Sequence, residues 1–391
     1  MRVLHVPTTV GGNPQGLSRH LRTLHAQSES WVLEQNNLGY ACDRVIWSPG
    51  DGIISRELKR WRAILEAVRF ADVIHFNFGT SLAYPVRPYD PRDGGLARRV
   101  GRWMFSLYTQ SLQWIELNLY RLAGIPMMVH YQGDDARQGD ESIARFKVNI
   151  AANVEAGYYD ASSDRFKRRM IRRMARYCEA IYAANPDLLH VLPTGTTFVP
   201  YSHISLAEWA PIYPAADGIA PLRIGHAPSH RQVKGTDLVL RAIEALRAEG
   251  HQLEIVLVEG QSHEAAKRLY ESMDVLVDQL YAGWYGGLAV EAMALGKPVL
   301  VYIRESDLYL VPEAMALELP FVRVDPDTIL DGLRTVATMP RSELHALGRR
   351  SRAFVERWHD PIKIAGDMKL AYEEALSRRG KRRMAAGPFP L

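Results

Sequence analysis

The chain has 391 residues, of which 47% are apolar and 24% charged, and its formal net charge is +4. This length exceeds what one hydrophobic core serves efficiently, so two domains are expected, and the composition excludes a disordered or fibrous protein. Because no apolar run reaches about 18 residues and residues 1–20 lack a secretory signal pattern, we expect a cytoplasmic protein.

The first half of the chain alternates short apolar runs with longer segments of helical periodicity. Continuous apolar strands separated by helices are typical of a parallel sheet covered on both faces, so a doubly wound α/β domain is predicted. The predicted strands are 2–7, 30–35, 72–78, 125–131, 180–184 and 197–201.

A segment rich in Pro, Ala and turn residues, 202–222, interrupts this alternation, and the same pattern then starts again. A second doubly wound domain is therefore predicted after a boundary near 200–220. Ligands of such sheets bind beyond the carboxyl ends of the strands, so two facing domains place two of these edges across one cleft. The predicted strands of the second domain are 222–227, 253–260, 274–280, 297–303 and 321–324.

These patterns divide the chain into two Rossmann-like domains and two C-terminal segments. We assign 1–205 to the first domain and 206–360 to the second. A final helix is predicted over 361–378, and a basic, flexible tail over 379–391.

The positive charge is concentrated in the first half: residues 1–200 hold 25 Lys and Arg against 19 Asp and Glu, whereas the rest of the chain holds 23 against 25. Two predicted helices, 97–120 and 164–177, combine arginines with aromatic or apolar side chains. They are either solvated helices whose apolar side packs on the core, or a surface that meets anionic lipid headgroups or an anionic acceptor. Nucleic acid is not expected, because no recognised binding module accompanies the charge.

A glycine-rich turn with Gly11, Gly12 and Gly16 follows the first predicted strand. A dinucleotide site would need G-x-G-x-x-G there, but the glycines run G-G-x-x-x-G with Pro14 inside the turn. Binding of NAD or FAD is therefore disfavoured. The turn is either structural or closely approaches a phosphate of a substrate or donor, and Gly12 is the candidate for that contact.

The loop after the first strand of the second domain collects cationic and small residues ahead of a predicted helix. Ser229, Arg231 and Lys234 lie in this loop, and Thr236 is a suitable N-cap for the helix. Cations at a helix N-terminus, together with its N–H groups and its dipole, favour the binding of one anion.

The segment GWYGGLAVEAMALGKPVL, residues 283–300, predicts a glycine turn, a short helix and a strand. Gly286 and Gly287 allow backbone N–H groups to approach a phosphate. Glu291 lies about one turn into the helix, and the two oxygens of a carboxylate match two adjacent hydroxyls of a ribose. The segment therefore indicates a nucleotide site.

These two motifs resemble the C-terminal half of nucleotide-sugar glycosyltransferases of the GT-B fold, of the retaining, group-one, family-four type. The order of the whole chain resembles them less specifically, through VHYQGDD at 129–135, ANPDLLHVLP at 184–193 and the closing helix. In this fold that helix crosses back to the first domain. The resemblance implies transfer of a sugar from a nucleoside diphosphate, held mainly by the second domain, to an acceptor held by the first.

Individual residues carry over from this resemblance. Lys234 matches the lysine that contacts the diphosphate, and Glu291 matches the second glutamate of the E-x7-E motif, which binds the ribose. His130 resembles the first-domain histidine beside the transferred sugar. Asp134 and Asp135 resemble the polar groups that follow that histidine on the acceptor side.

Two positions depart from the family pattern. Gly283 stands where the first glutamate of the motif contacts the donor sugar, so the resemblance leaves a retaining and an inverting outcome open. Ser229 and Pro228 stand where an arginine precedes the lysine, and Arg231 would supply that charge from a shifted position.

The implied protein is a metal-independent glycosyltransferase that takes a nucleotide sugar as co-substrate and needs no cofactor. Breaking the sugar–diphosphate bond develops negative charge on the leaving phosphates, which fixed cations stabilise, and no Asp-x-Asp or His/Cys cluster argues for a metal. The expected acceptor is a saccharide or lipid-linked saccharide of cell-envelope or polysaccharide biosynthesis, with peripheral contact to an anionic membrane. The sequence leaves the base, the sugar and the oligomeric state open.

Two alternatives share the same fold. A catalytically inactive nucleotide-sugar-binding or regulatory protein is motivated by Gly283, because the donor-sugar carboxylate is missing there. A nucleotide-sugar epimerase would use a similar donor site without an acceptor.

Overall fold

The computed structural model describes residues 1–36, 39–216 and 220–385. Within these residues the strands form two separate parallel sheets. Apolar clusters cover both faces of each sheet. The two doubly wound α/β units predicted from the sequence are therefore confirmed.

The first sheet is formed by the strands before residue 200. They are β1 (Arg2–Val6), β2 (Gln27–Val32), β3 (Arg44–Val45), β4 (Val73–Asn77), β5 (Met127–Tyr131), β6 (Ala180–Ala183) and β7 (Thr197–Phe198). The helices between them are α1 (Asn13–Thr23), α2 (Ile53–Phe70), α3 (Leu96–Leu122), α4 (Gly139–Arg145) and α5 (Ala161–Tyr177). The strand order is β3-β2-β1-β4-β5-β6-β7, so the chain reverses direction across the sheet between β1 and β4.

The second sheet begins after the segment that joins the two units. Its strands are β8 (Leu222–His226), β9 (Leu253–Leu257), β10 (Val275–Val277), β11 (Val299–Val301) and β12 (Val322–Arg323). Its helices are α6 (Arg231–Lys234), α7 (Thr236–Ala248), α8 (His263–Ser272), α9 (Gly287–Ala294), α10 (Glu313–Leu317), α11 (Ile329–Thr338) and α12 (Arg341–Trp358). The order β12-β11-β10-β8-β9 places the reversal between β8 and β10.

Every strand predicted from the sequence is present, with small shifts in its limits. The second strand, predicted over 30–35, lies at Gln27–Val32. The edge strand β3 was not predicted, because a two-residue strand carries no periodic pattern. Residues 217–219 of the joining segment lie outside the described residues.

The last helix, α13 (Pro361–Ala385), returns to the first sheet. Ile364, Met368 and Tyr372 are buried in the apolar cluster that contains Leu21 of α1. The hydroxyl of Tyr372 lies 2.5 Å from Nδ1 of His75, a buried side chain of β4. One helix thereby ties the C-terminal end of the chain to the first sheet.

This helix corrects part of the predicted tail. The sequence predicted a flexible tail from residue 379, but α13 continues to Ala385. Arg379 donates from Nε to Oε1 of Glu179 at 2.5 Å, which holds this part of the helix against the first sheet. The prediction is therefore wrong for 379–385, and 386–391 lie outside the described residues.

Segments that follow the carboxyl ends of strands make contacts between the two sheets. Nη2 of Arg304, after β11, donates to the carbonyl oxygen of Val148, after β5, at 3.1 Å. The backbone N–H of Glu155 donates to Oε1 of Gln232, after β8, at 2.9 Å. The two carboxyl edges therefore face each other across one cleft.

A substitution at Gly16 tests the packing between α1 and the segment that joins the two sheets. A Cβ at this position would lie 2.4 Å from the Cα of His203, so we expect Gly16→Ala to lower the free energy of unfolding by about 1–3 kcal/mol. Gly101 of α3 has no atom within 4 Å of a built Cβ, and Gly101→Ala should raise it by about 0.5–1 kcal/mol. Urea unfolding measures both variants, and effects of the same sign would contradict the packing described.

Candidate active site in the interdomain cleft

A buried carboxylate holds the lysine and the glycine turn of the second sheet together. Asp278 follows β10 and is 1% exposed. Its Oδ1 accepts from Nζ of Lys234 at 2.7 Å, and its Oδ2 accepts from the N–H of Gly286 at 2.8 Å. Gln279 also accepts from Lys234, at 2.9 Å. Lys234 is therefore fixed beside the turn at the start of α9.

The other side of the same turn holds Glu291. Its Oε1 lies 2.9 Å from Nε2 of His263 and 3.2 Å from Nε2 of His203. Burial by itself would raise the pKa of Glu291, but the hydrogen bonds and charges of the two histidines lower this pKa to about 2. A Cβ at Gly287 would lie 3.3 Å from Cε1 of His203. Lys234 and Glu291 thus flank one glycine turn, Lys234 through Asp278 and Glu291 through His203.

The arrangement can hold an anion, and the carboxylate of Asp278 already occupies this position. A lysine ammonium and a backbone N–H at a helix N-terminus are the donors that phosphates use in proteins. Asp278 occupies both donors in this structure. A bound phosphate would share these donors with Asp278 or replace it.

A cavity of about 330 Å³ lies between the two sheets next to Glu291. Gly12, Tyr40, His203 and His263 are among the residues that line it. Gly12 has a φ of +68°, and a Cβ there would lie 2.6 Å from Cε1 of Tyr40. The ring of Tyr40 lies 4.7 Å from that of His263. Glycine at position 12 therefore leaves room for Tyr40, which packs against the histidine that contacts Glu291.

A larger cavity, of about 620 Å³, lies at the carboxyl edge of the first sheet. Asp134 and Asp135 line it, and His230 reaches it from the second unit. Asp134 accepts from the hydroxyl of Tyr158 at 2.6 Å. Asp135 accepts from the N–H of Gly133 at 2.7 Å, and its burial raises its pKa to about 7. The two aspartates predicted on the acceptor side thus share one cavity.

Other predicted residues are not brought to the turn. His130 is 1% exposed, and its ring stacks on that of His75 at 5.8 Å. Burial lowers the pKa of His130 to about 4. Arg231 is half exposed and pairs with Glu259 at 2.6 Å, and Ser229 is an exposed loop residue. The roles of these three residues stay predictions, and their positions give them no support.

The loop before α7 also corrects the predicted cap. Gly235, in the left-handed region at φ 75°, precedes the helix, and Thr236 is its first residue. The hydroxyl of Thr236 lies 2.9 Å from Nε2 of the buried His226. Thr236 therefore bonds into the core and does not cap α7.

The guanidinium of Arg304 lies beside Gly283, in the space that a larger side chain would need. A Cβ at this position would lie 2.6 Å from Cζ of Arg304. That guanidinium stacks on the ring of Phe146, with Cζ 3.6 Å from the ring centroid, and donates to Oδ2 of Asp307 at 2.9 Å. Arg304 therefore fills the space beside Gly283 and contacts both units there.

Sequence reasoning did not single out Asp278, His203, His263 or Arg304. Asp278 carried a signal, because an acidic residue directly after a buried parallel strand lies at the ligand-binding edge. The two histidines lie in the joining segment and at the start of α8, far from Glu291 in sequence. No local pattern relates them to Glu291, so only the folded chain could identify them.

Two absences among the described residues concern metal binding and membrane spanning. No group of three or more His, Cys, Asp and Glu in them is arranged to hold a metal ion. No helix in the described ranges has both the length and the apolar character to cross a membrane.

Comparison with known proteins supports the fold. No protein-family model matches the sequence, and no curated protein matches it. The chain is similar to sucrose-phosphate synthase from Thermosynechococcus elongatus, at 14% identity over 97% of this chain and 100% of that chain, with a TM-score of 0.60. This likeness and the two facing parallel sheets show a GT-B fold.

Two other solved structures have lower TM-scores. Spinosyn rhamnosyltransferase SpnG, complexed with spinosyn aglycone, is 15% identical over 94% of this chain and 100% of its own, with a TM-score of 0.44. UDP-GlcNAc 2-epimerase from Neisseria meningitidis, bound to UDP-GlcNAc, is 12% identical over 91% and 99%, with a TM-score of 0.45. The fold assignment rests on the first structure.

The Lys234–Asp278 pair can be tested by its coupling energy. We expect Lys234→Met and Asp278→Asn each to lower the free energy of unfolding by about 3 kcal/mol, because each leaves a buried charge without its partner. The double variant should lose less than the sum, with a coupling of about 1–3 kcal/mol. The half-exposed Arg231–Glu259 pair is the matched control, and its coupling in the cycle of Arg231→Met and Glu259→Gln should stay below about 1 kcal/mol. Equal coupling energies in the two cycles would contradict the stronger interaction that is expected of the buried pair.

Proposed function

We propose that the protein is a glycosyltransferase that moves a sugar from a nucleoside diphosphate to an acceptor bound by the first unit. The observation that carries this proposal is the position of Lys234 and Glu291 on the two sides of the Gly286–Gly287 turn, at the edge of the second sheet that faces the first. A cation, a helix N-terminus and a buried carboxylate around one glycine turn suit a diphosphate joined to a ribose.

In this proposal the donor nucleotide lies along the turn. The diphosphate takes the donors that Asp278 now occupies, Nζ of Lys234 and the N–H of Gly286. The ribose hydroxyls donate to Glu291 in place of one imidazole, and the 330 Å³ cavity beside His263 receives the rest of the nucleoside. The ionised state of Glu291 suits this role, since only acceptors face the hydroxyls.

The proposed catalysis rests on stabilising the charge that develops on the leaving group. When the sugar–diphosphate bond breaks, negative charge develops on the leaving phosphate, and Lys234 stabilises it without a metal ion. In the retaining course implied by the sequence resemblance, the leaving phosphate takes the acceptor proton on the same face, so no separate base is needed. Asp134 and Asp135 would then position the acceptor in the 620 Å³ cavity.

The acceptor in this proposal is a saccharide or a lipid-linked saccharide, and the protein meets an anionic membrane peripherally. The large cavity combines polar aspartates with apolar side chains such as Phe166 and Met170. Such a lining suits an amphiphilic molecule better than a purely polar sugar.

Donor binding is tested by thermal shift with a panel of nucleoside diphosphates. Binding raises stability by about 2.7 kcal/mol at a hundredfold excess over Kd. Glu291→Gln keeps the shape but removes the charge, so we expect roughly tenfold to hundredfold weaker binding. Arg241→Ala, at an exposed position of α7, is the matched control and should bind as the wild type does. A panel without any shift would contradict the nucleotide site.

Turnover is tested with Lys234→Ala in an assay of nucleoside diphosphate release from nucleotide sugars. Removing one preorganised donor to a developing charge lowers turnover roughly a hundredfold or more. This substitution also leaves Asp278 without its partner, so the assay is run below the unfolding temperature of the variant. Wild-type turnover in a folded Lys234→Ala would refute the role of Lys234.

A second candidate is a nucleotide-sugar-binding protein without turnover, favoured by Arg304. The guanidinium fills the space beside Gly283, where the sequence resemblance places a donor-sugar carboxylate. Binding in the thermal-shift panel without release of diphosphate, with or without acceptors, would select this candidate. A changed sugar on the recovered nucleotide would instead indicate an epimerase.

A further inference from the structure

Helix α3 buries polar as well as apolar side chains on its inner side and exposes an apolar set on its outer side. Its inner face buries four polar side chains completely, Ser106, Thr109, Gln113 and Glu116. Its outer face exposes an apolar stripe, defined as Leu96, Val100, Trp103, Met104, Leu107, Trp114 and Ile115. These positions fall on one side of a helix with 3.6 residues per turn. The helix therefore exposes an apolar stripe in addition to the apolar side chains that it buries in the core.

The buried polar face has a structural explanation. Ser106 donates to the carbonyl oxygen of Val86 at 2.7 Å. Glu116 accepts from the N–H groups of Leu82 and Ala83 at 3.1 and 2.9 Å. These bonds hold the loop that lines the 620 Å³ cavity. The polar side of α3 supports this loop, but nothing within the described residues accounts for the exposed stripe.

The stripe is too large to be ordinary surface variation. Trp103 is 53% exposed, Trp114 58% and Leu96 79%. Exposed apolar patches of this kind mark interaction sites on soluble proteins. Tryptophan is one of the side chains most enriched at the boundary between lipid and water, and two half-exposed tryptophans lie in this stripe.

A row of arginines lies beside the stripe. Arg165, Arg169, Arg172 and Arg176 occupy the exposed side of α5. The two helices are neighbours, because Arg173 of α5 donates to the carbonyl oxygen of Gln110 of α3 at 2.8 Å. Both helices cover the same face of the first sheet, so the arginine row and the apolar stripe point the same way.

We infer that this face docks on an anionic membrane, with the stripe inserted at the lipid boundary and the arginine row on the headgroups. Basic side chains beside an exposed apolar helix face are what peripheral membrane binding requires. A second copy of the chain is a poorer occupant. In a symmetric contact each arginine row would meet its own copy, which is unfavourable.

Docking would also define the acceptor, and this step rests on the proposed glycosyl transfer. Several residues between Tyr84 and Arg92 line the large cavity, and α3 begins four residues after Arg92. Gln113 of α3 and Met170 of α5 line the same cavity from its inner side. A docked protein therefore brings the cavity rim to the bilayer surface, where a saccharide on a lipid carrier would be bound.

The experiment is vesicle flotation of the full chain with phosphatidylcholine alone and with added phosphatidylglycerol. We expect the wild type to float with the anionic vesicles, less at high salt. The variant Trp103→Ser/Leu107→Ser/Trp114→Ser should lose roughly tenfold or more of its partitioning. Replacing the four arginines of the row by Gln should lower binding to anionic vesicles roughly a hundredfold.

The controls separate docking from misfolding and from self-association. Leu317→Ser changes an apolar residue of the second unit that is even more exposed (81%) and should float as the wild type does. Thermal unfolding of each variant checks the fold. Wild-type protein that stays with the dense fraction would overturn the inference. A concentration-dependent dimer that the stripe variant abolishes would assign the face to a second copy and also overturn it.

A second measurement keeps this inference separate from the proposed reaction. The same preparations are tested for nucleoside diphosphate binding by thermal shift. Binding without flotation overturns docking alone, and flotation without nucleotide binding overturns the proposed function alone. If both succeed, a soluble saccharide acceptor used as well as a lipid-linked one would refute the assignment of the acceptor.

Discussion

The geometry of the cleft depends on one buried carboxylate. Asp278 ends β10 and satisfies both the ammonium of Lys234 and the first N–H of the glycine turn. A lysine with little exposure is stable only beside a partner, because an unpaired buried charge costs several kcal/mol. The pair fixes the loop after β8 to the turn after β10, at the point where the strand order reverses. Everything that the second unit offers to a ligand is positioned from there.

The first unit completes the site through side-chain contacts across the cleft. Tyr40 lies over Gly12 against His263, and Arg304 reaches the backbone of Val148 across the cleft. Glu291 is enclosed by two histidines in this arrangement, so entry of a nucleotide requires at least one side chain to move. The structure accordingly describes a closed cleft with its donors satisfied internally.

The two cavities divide the chemistry between the units. The smaller cavity adjoins the buried carboxylate of Glu291, whereas the larger one is lined by Asp134, Asp135 and apolar side chains of α5. Polar side chains on the inner side of α3 hold the loop that lines the larger cavity, and the outer side of this helix exposes an apolar stripe. One helix therefore supports the site proposed for the acceptor and presents the surface proposed for the membrane. This double use accounts for the buried polar side chains and the exposed apolar stripe of the same helix.

The sequence by itself determined the two parallel sheets, because apolar runs alternating with helical segments leave few other folds. It also singled out Lys234, Gly286 and Glu291, since these lie in short motifs whose chemistry can be read locally. Only the tertiary structure identified Asp278, His203 and His263 as their partners, because these contacts join residues distant in the chain. It also placed His130 in the core and an apolar stripe of α3 outside. Periodicity shows that a helix has two faces, but which face is buried depends on what packs against it.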